Sequence, residues 1–146
     1  MAEMIEQKER SRQAALIAAR AADTKKATDI MVQEMTDLIG ITDYFVIVTA
    51  ANNRQVDAIV DEVEDKLREE CSLKPLNRET SKDGSWSLLD YGDIVIHVFQ
   101  PETREYYRLE SLWNEAPVID LSREEGFENL EYSDRIAELI EKARER

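Results

Sequence analysis

Two carboxylates three residues apart, Asp90 and Asp93, and a lone histidine, His97, come nearest to a catalytic or metal-binding set in this 146-residue chain. Paired carboxylates can hold Mg²⁺ for nucleotidyl transfer. That chemistry needs them on one strand face, with a Gly-Ser element to seat a triphosphate, and Gly84-Ser85 leads straight into a strand instead. Asp in a turn caps backbone N–H groups, so turn or partner contact is favoured over metal. His97 has the type for a base or a ligand. No second His, no Cys and no carboxylate cluster stands beside it, so a half-buried ring with one satisfied hydrogen bond is expected. The four glycines form neither G-x-x-x-x-G-K-S/T nor G-x-G-x-x-G. No Ser or Cys nucleophile has a patterned base beside it. Cys71 is the only cysteine, which excludes an intrachain disulfide and, with one His, a Cys/His zinc site. The expectation is no catalytic residue, no metal and no cofactor. A nucleotidyltransferase-like enzyme using Asp90 and Asp93 is the rival.

A second constellation suits binding better. Trp86, Tyr91, Tyr106, Tyr107 and Trp113 fall in one short stretch with Asp90, Asp93, Arg104 and Glu110. Aromatics mixed with charges mark contact faces. Tyr106 and Trp113 are expected in the core. For Trp86 and Tyr91, at a hairpin mouth, interface and core both stay open. The net charge is −13, from 19 basic and 32 acidic residues. Such a chain repels phosphate backbones and steers toward basic protein surfaces. No direct DNA contact is expected. Nor is a membrane, since no apolar run approaches the ~20 residues a span needs. The charged first twelve residues do not read as a signal peptide, and a reducing cytoplasm is the expected compartment.

These residues need elements to hold them. Residues 6–23 read as an alanine-rich helix and 28–35 as a first or edge strand. The run DYFVIVT, 43–49, suits a strand covered on both faces. Asn52, with Gln55 three residues on, opens a helix over 53–70. Its Val56, Ile59, Val60, Val63 and Leu67 share one face, with Glu64–Arg68 as an i,i+4 pair. Residues 72–78, weakened by Pro75, suit an edge strand. Residues 85–90 and 93–99 read as a hairpin in which Ile94, Ile96 and Val98 oppose Val95, His97 and Phe99. A single helix is expected over 102–113, and a loosely docked or free helical tail over 122–146. The class is α/β (α+β), a single domain with a mixed sheet flanked by helices. Its expected divisions are an N-terminal helix over 1–24, the domain proper over 25–121 and the tail.

Three blocks, in order and suitably spaced, carry a family resemblance. Asp43-Tyr44-Phe45-Val46-Ile47 followed by Arg54-Gln55-Val56 is similar to the first block of the ribosomal silencing factor (Iojap-like) family. Trp86 to Phe99, WSLLDYGDIVIHVF, resembles that family's most distinctive block, and Arg104 to Trp113, REYYRLESLW, its closing one. The likeness covers about residues 25–117. It departs at Ala50-Ala51-Asn52-Asn53, where Gly and Ser are usual, and at Glu79-Thr80, where Glu-Gly is common. The resemblance implies a five-stranded sheet of nucleotidyltransferase-like topology without the catalytic residues. It implies a translational repressor that binds a basic protein of the large ribosomal subunit at the inter-subunit face and blocks joining by bulk. For many members it implies a homodimer in isolation. On this reading the partner contacts are Trp86, Leu88, Asp90, Tyr91 and Asp93, with Arg104 and Glu110 supporting the hairpin or rim. An assembly role for the large subunit is the alternative.

Overall fold

Five strands make one mixed sheet in the order β1-β2-β5-β4-β3, in a computed structural model that describes residues 2–40 and 42–144. The strands are β1 (Thr28–Glu34), β2 (Tyr44–Thr49), β3 (Asn77–Thr80), β4 (Trp86–Asp90) and β5 (Ile94–Phe99). β2 and β5 run parallel, and every other pairing is antiparallel. Parallel neighbours require a crossover. Here the intervening chain supplies α3 (Asn53–Cys71) and the β3–β4 hairpin.

α3 starts where Asn52 accepts from Gln55 N–H at 2.9 Å, while the Gln55 side chain accepts from Ala51 N–H. The first bond satisfies one of the donors a helix start leaves unpaired, and the second ties the preceding loop to the helix. Its five-residue apolar stripe is buried, as the spacing predicts. Glu64 does not pair with Arg68; it reaches Arg78 on β3 at 2.8 Å. α1 (Ala2–Thr24) lies beside α3 on the same sheet face, and α2 (Thr36–Ile39) is a single turn between β1 and β2. Ala15, Ala18, Ala19 and Ala22 are fully buried there, and such small side chains let the helix backbone sit close to the strands. Residues 14–22 thus contribute to the central core.

The second face is covered by shorter pieces. The expected helix over 102–113 is two helices, α4 (Pro101–Tyr107) and α5 (Leu109–Leu112). Arg108 stands between them at φ 45°, a left-handed conformation that ends α4 and turns the chain. The third strand begins at Asn77, later than expected, because Ser72 closes α3 at φ 55° and Pro75 follows. The expectation of a loose tail is also corrected. Asp23 accepts from the backbone N–H groups of Glu128 and Asn129 at 2.8 and 3.1 Å. Tyr132 donates to Ile30 C=O at 2.7 Å, and Ile136 of α6 (Asp134–Arg144) is buried. A weak apolar stripe did not reveal these anchors, because they are hydrogen bonds to residues a hundred positions away.

Candidate functional site

Strand alternation sorts the candidates first, since successive side chains point to opposite faces. On β4, Ser87 and Leu89 turn to the α1/α3 side and are buried, while Trp86, Leu88 and Asp90 take the other side and stay half-buried. Their register partners on β5 are Phe99, His97 and Val95, and those of β5 on β2 are Thr49, Ile47 and Phe45. Three cross-strand rows therefore form one face: Trp86–Phe99–Thr49, Leu88–His97–Ile47 and Asp90–Val95–Phe45.

That face is only half covered. Over its β1–β2 end, Arg104 of α4 reaches the Asp29 carbonyl and Thr49 Oγ1, the latter at 2.9 Å. Gln33 of β1 donates to the carbonyls of Glu110 and Trp113 at 3.1 and 3.2 Å. Met31, Gln33, Ile47, Thr49 and Phe99 are buried beneath. Toward β4 the cover stops, and Phe45, Val95, Leu88, Asp90 and Trp86 remain partly accessible.

The aromatic rings continue this surface onto α4. Trp86 packs on Phe99 and Tyr107 with centroids 4.8 and 4.9 Å apart, and Tyr107 meets Tyr106 edge-on at 5.0 Å. Tyr106 is 82% exposed and Tyr107 54%. The expectation of a core Tyr106 is thus corrected: the break at Arg108 leaves its ring on the outside of a short helix.

His97 sits under this surface. Its Nδ1 accepts from Trp86 Nε1–H at 3.3 Å, and Phe45 meets its ring edge-on at 5.1 Å. An accepting Nδ1 leaves the ring proton on Nε2. Burial pushes its pKa down to about 4, against the smaller opposing pull of Asp90. The imidazole is therefore neutral at physiological pH and orients the indole. This is the single-bonded histidine the sequence suggested, more deeply buried than expected.

The other four candidates lie elsewhere. Tyr91 is only 9% exposed and belongs to the core beneath α1 and α3, where burial pushes its hydroxyl up to about 12. It sits one position past Asp90, and a one-residue step changes the face. Asp93 is exposed but bonds Gln7 of α1, on that same helix side. Asp90 itself stays on the open face, where its Oδ1 accepts from Gly92 N–H at 2.8 Å, which is turn chemistry. Arg104 and Glu110 are 2% and 0% exposed and pair at 3.5 Å. Glu110 also takes Arg135 of α6 at 2.6 Å. This buried bridge fastens α4, α5 and α6 to the sheet, so neither residue is free to touch a partner. Sequence reasoning passed over Phe45 and Val95 as surface residues; their alternation with Val46 and Ile96 was the available signal. Among the described residues no group of His, Cys, Asp and Glu is placed to hold a metal ion, and no helix is long and apolar enough to cross a membrane.

Known proteins resemble this chain in sequence and in fold. The family model described as "Ribosomal silencing factor during starvation" matches residues 8–144, beyond the 25–117 of the sequence likeness and including α6. A Bacillus subtilis protein named ribosomal silencing factor RsfS is 40% identical over 105 residues, covering 72% of this chain and 88% of its own. A mouse protein named for mitochondrial assembly of the ribosomal large subunit is 36% identical over 91 residues, 61% of this chain and 40% of its own. A crystal structure of a Chromobacterium violaceum protein aligns with a TM-score of 0.66 at 32% identity, over 70% of this chain and 84% of that one.

Proposed function

The chain belongs to the ribosomal silencing factor family, and from that premise we propose that it docks through the uncovered half of its sheet onto a basic protein of the large ribosomal subunit. Bound there, it blocks small-subunit joining by bulk and so represses translation. One observation carries the reading: α4 meets β4 only at Trp86, leaving Leu88, Val95, Phe45 and part of Trp86 open beside exposed Tyr106 and Tyr107. Rigid aromatic anchors with acidic neighbours form an efficient centre for a protein interface. A chain of net charge −13 is steered toward basic surfaces and away from bare RNA. Occlusion requires only affinity and size. The working contact set is Trp86, Leu88 and Asp90 with Phe45, Val95 and Tyr107. The site of action is the cytoplasm, with a homodimer as the free form.

The test is co-sedimentation with purified large and small subunits at low salt. The chain is expected to pellet with large subunits alone and to reduce their joining to small ones. Recovery of all the protein in the supernatant ends the proposal. A second reading, assistance in large-subunit assembly, is favoured by the mouse relative's name. Immature large-subunit particles accumulating in a deletion strain mark that role, whereas normal particles that join prematurely in starvation mark silencing.

A further inference from the structure

Where β4 meets α4 there is a cleft of about 330 Å³, whose lining includes Trp86, Tyr106, Tyr107, Asp83 and Glu102. Its remaining lining is Ser and Thr, and no basic side chain belongs to it. Arg108, the nearby cation of the same helix end, is taken by Glu105. We propose that this cleft seats one arginine side chain of the ribosomal protein partner, stacked against the rings with Asp83 and Glu102 as its counter-charges. The assignment deepens the proposed function and rests on it, naming one subsite within the docking face.

The chemistry favours guanidinium over other occupants. A flat, delocalised cation stacks on aromatic faces and bonds carboxylates with its edge. Phosphate would meet two carboxylates and no cation. An uncharged apolar side chain would leave both carboxylates uncompensated. Asp83 is ionised at any physiological pH, since the Ser85 hydroxyl and N–H and the Ser81 hydroxyl all bond its carboxylate and hold its pKa down to about 2. The cleft is also built before binding. The Asp83 bonds fix the β3–β4 turn, and Trp86 N–H donates to Ser81 Oγ at 3.1 Å.

The experiment has two arms with the full chain. In the first, wild type, Glu102→Lys and Tyr106→Ala are titrated with purified large subunits. Both replaced residues are exposed, so melting temperatures should stay with wild type while each variant binds at least tenfold more weakly. In the second, N-acetyl-arginine amide and its neutral isostere N-acetyl-citrulline amide are titrated while the Trp86 indole N–H is followed by NMR, assigned with Trp86→Phe. The arginine probe should shift that resonance saturably, the citrulline probe should not, and Glu102→Lys should abolish the response. Equal responses to both probes, no response to either, or full affinity in both variants overturns the assignment. Protein-free large-subunit RNA retaining the chain as well as whole subunits do would make RNA the partner and overturn it too. If wild type ignores large subunits while the arginine probe saturates the cleft, the docking proposal fails and the cation subsite stands. If wild type binds and neither variants nor probe respond, only the subsite fails.

Discussion

The two faces of the sheet are finished differently. Under α1 and α3 the surface is sealed: Val46, Val48, Ile96 and Val98 are fully buried against two long helices. On the other side, two short helices and one buried ion pair cover the β1–β2 end, while Trp86, Leu88 and Asp90 of β4, Val95 of β5 and Phe45 of β2 reach solvent. The first face uses apolar side chains that need only burial. The second is organised by directed bonds, Arg104–Glu110–Arg135 at the covered end and Trp86–His97 at the open one. A fold that can rely on one face for its stability can leave part of the other unpacked for a partner.

Substitutions on each side should separate stability from binding. The largest effect is expected at the ion pair. Glu110→Ala leaves the buried Arg104 without its carboxylate, while Arg135 keeps Glu105, and should cost about 3–5 kcal/mol in urea unfolding; a loss under 1 kcal/mol would show the bridge to be solvated. On the sealed face, Leu67→Ala leaves a cavity and should cost about 2–5 kcal/mol while the folded fraction binds large subunits normally. Reduced binding at unchanged stability would mean that the faces are not independent.

Acid should expose the directed bonds of the open face. His97 is held neutral by burial, so its folded pKa of about 4 lies below the ordinary 6.5. Its contribution is complete above pH 6.5 and is lost as pH falls toward 4, because the unfolded chain takes up the proton first. The loss should approach about 3 kcal/mol, and should be absent in His97→Phe. With one histidine in the chain, a single imidazole NMR signal follows this directly; titration near pH 6.5 in the folded protein would contradict it. At the open centre, Leu88→Asp should weaken large-subunit binding by more than about 1 kcal/mol while the melting temperature barely moves. The smallest effect belongs to the cap of α3: Asn52→Ala should cost about 1 kcal/mol and leave binding intact.

Much of this was legible along the chain. The stripe of α3, its Asn52–Gln55 start and the two-sided pattern of β5 follow from the periods of helix and strand, which need no tertiary partner to be read. The family likeness was equally local, carried by WSLLDYGDIVIHVF. Within the candidate set, Trp86, Leu88 and Asp90 share one face because alternation puts them there, and the same alternation sends Tyr91 under the helices.

Other features depended on contacts between distant parts of the chain. Whether a half-polar stretch such as 122–144 docks depends on acceptors that lie far away, at Asp23 and Ile30. Whether Arg104 and Glu110 are surface charges or a buried clasp depends on how far α4 and α5 extend over the sheet, which is set by the turn at Arg108. Periodicity specifies which side of an element is apolar. Only packing determines what lies against it, and so which apolar side remains open to another molecule.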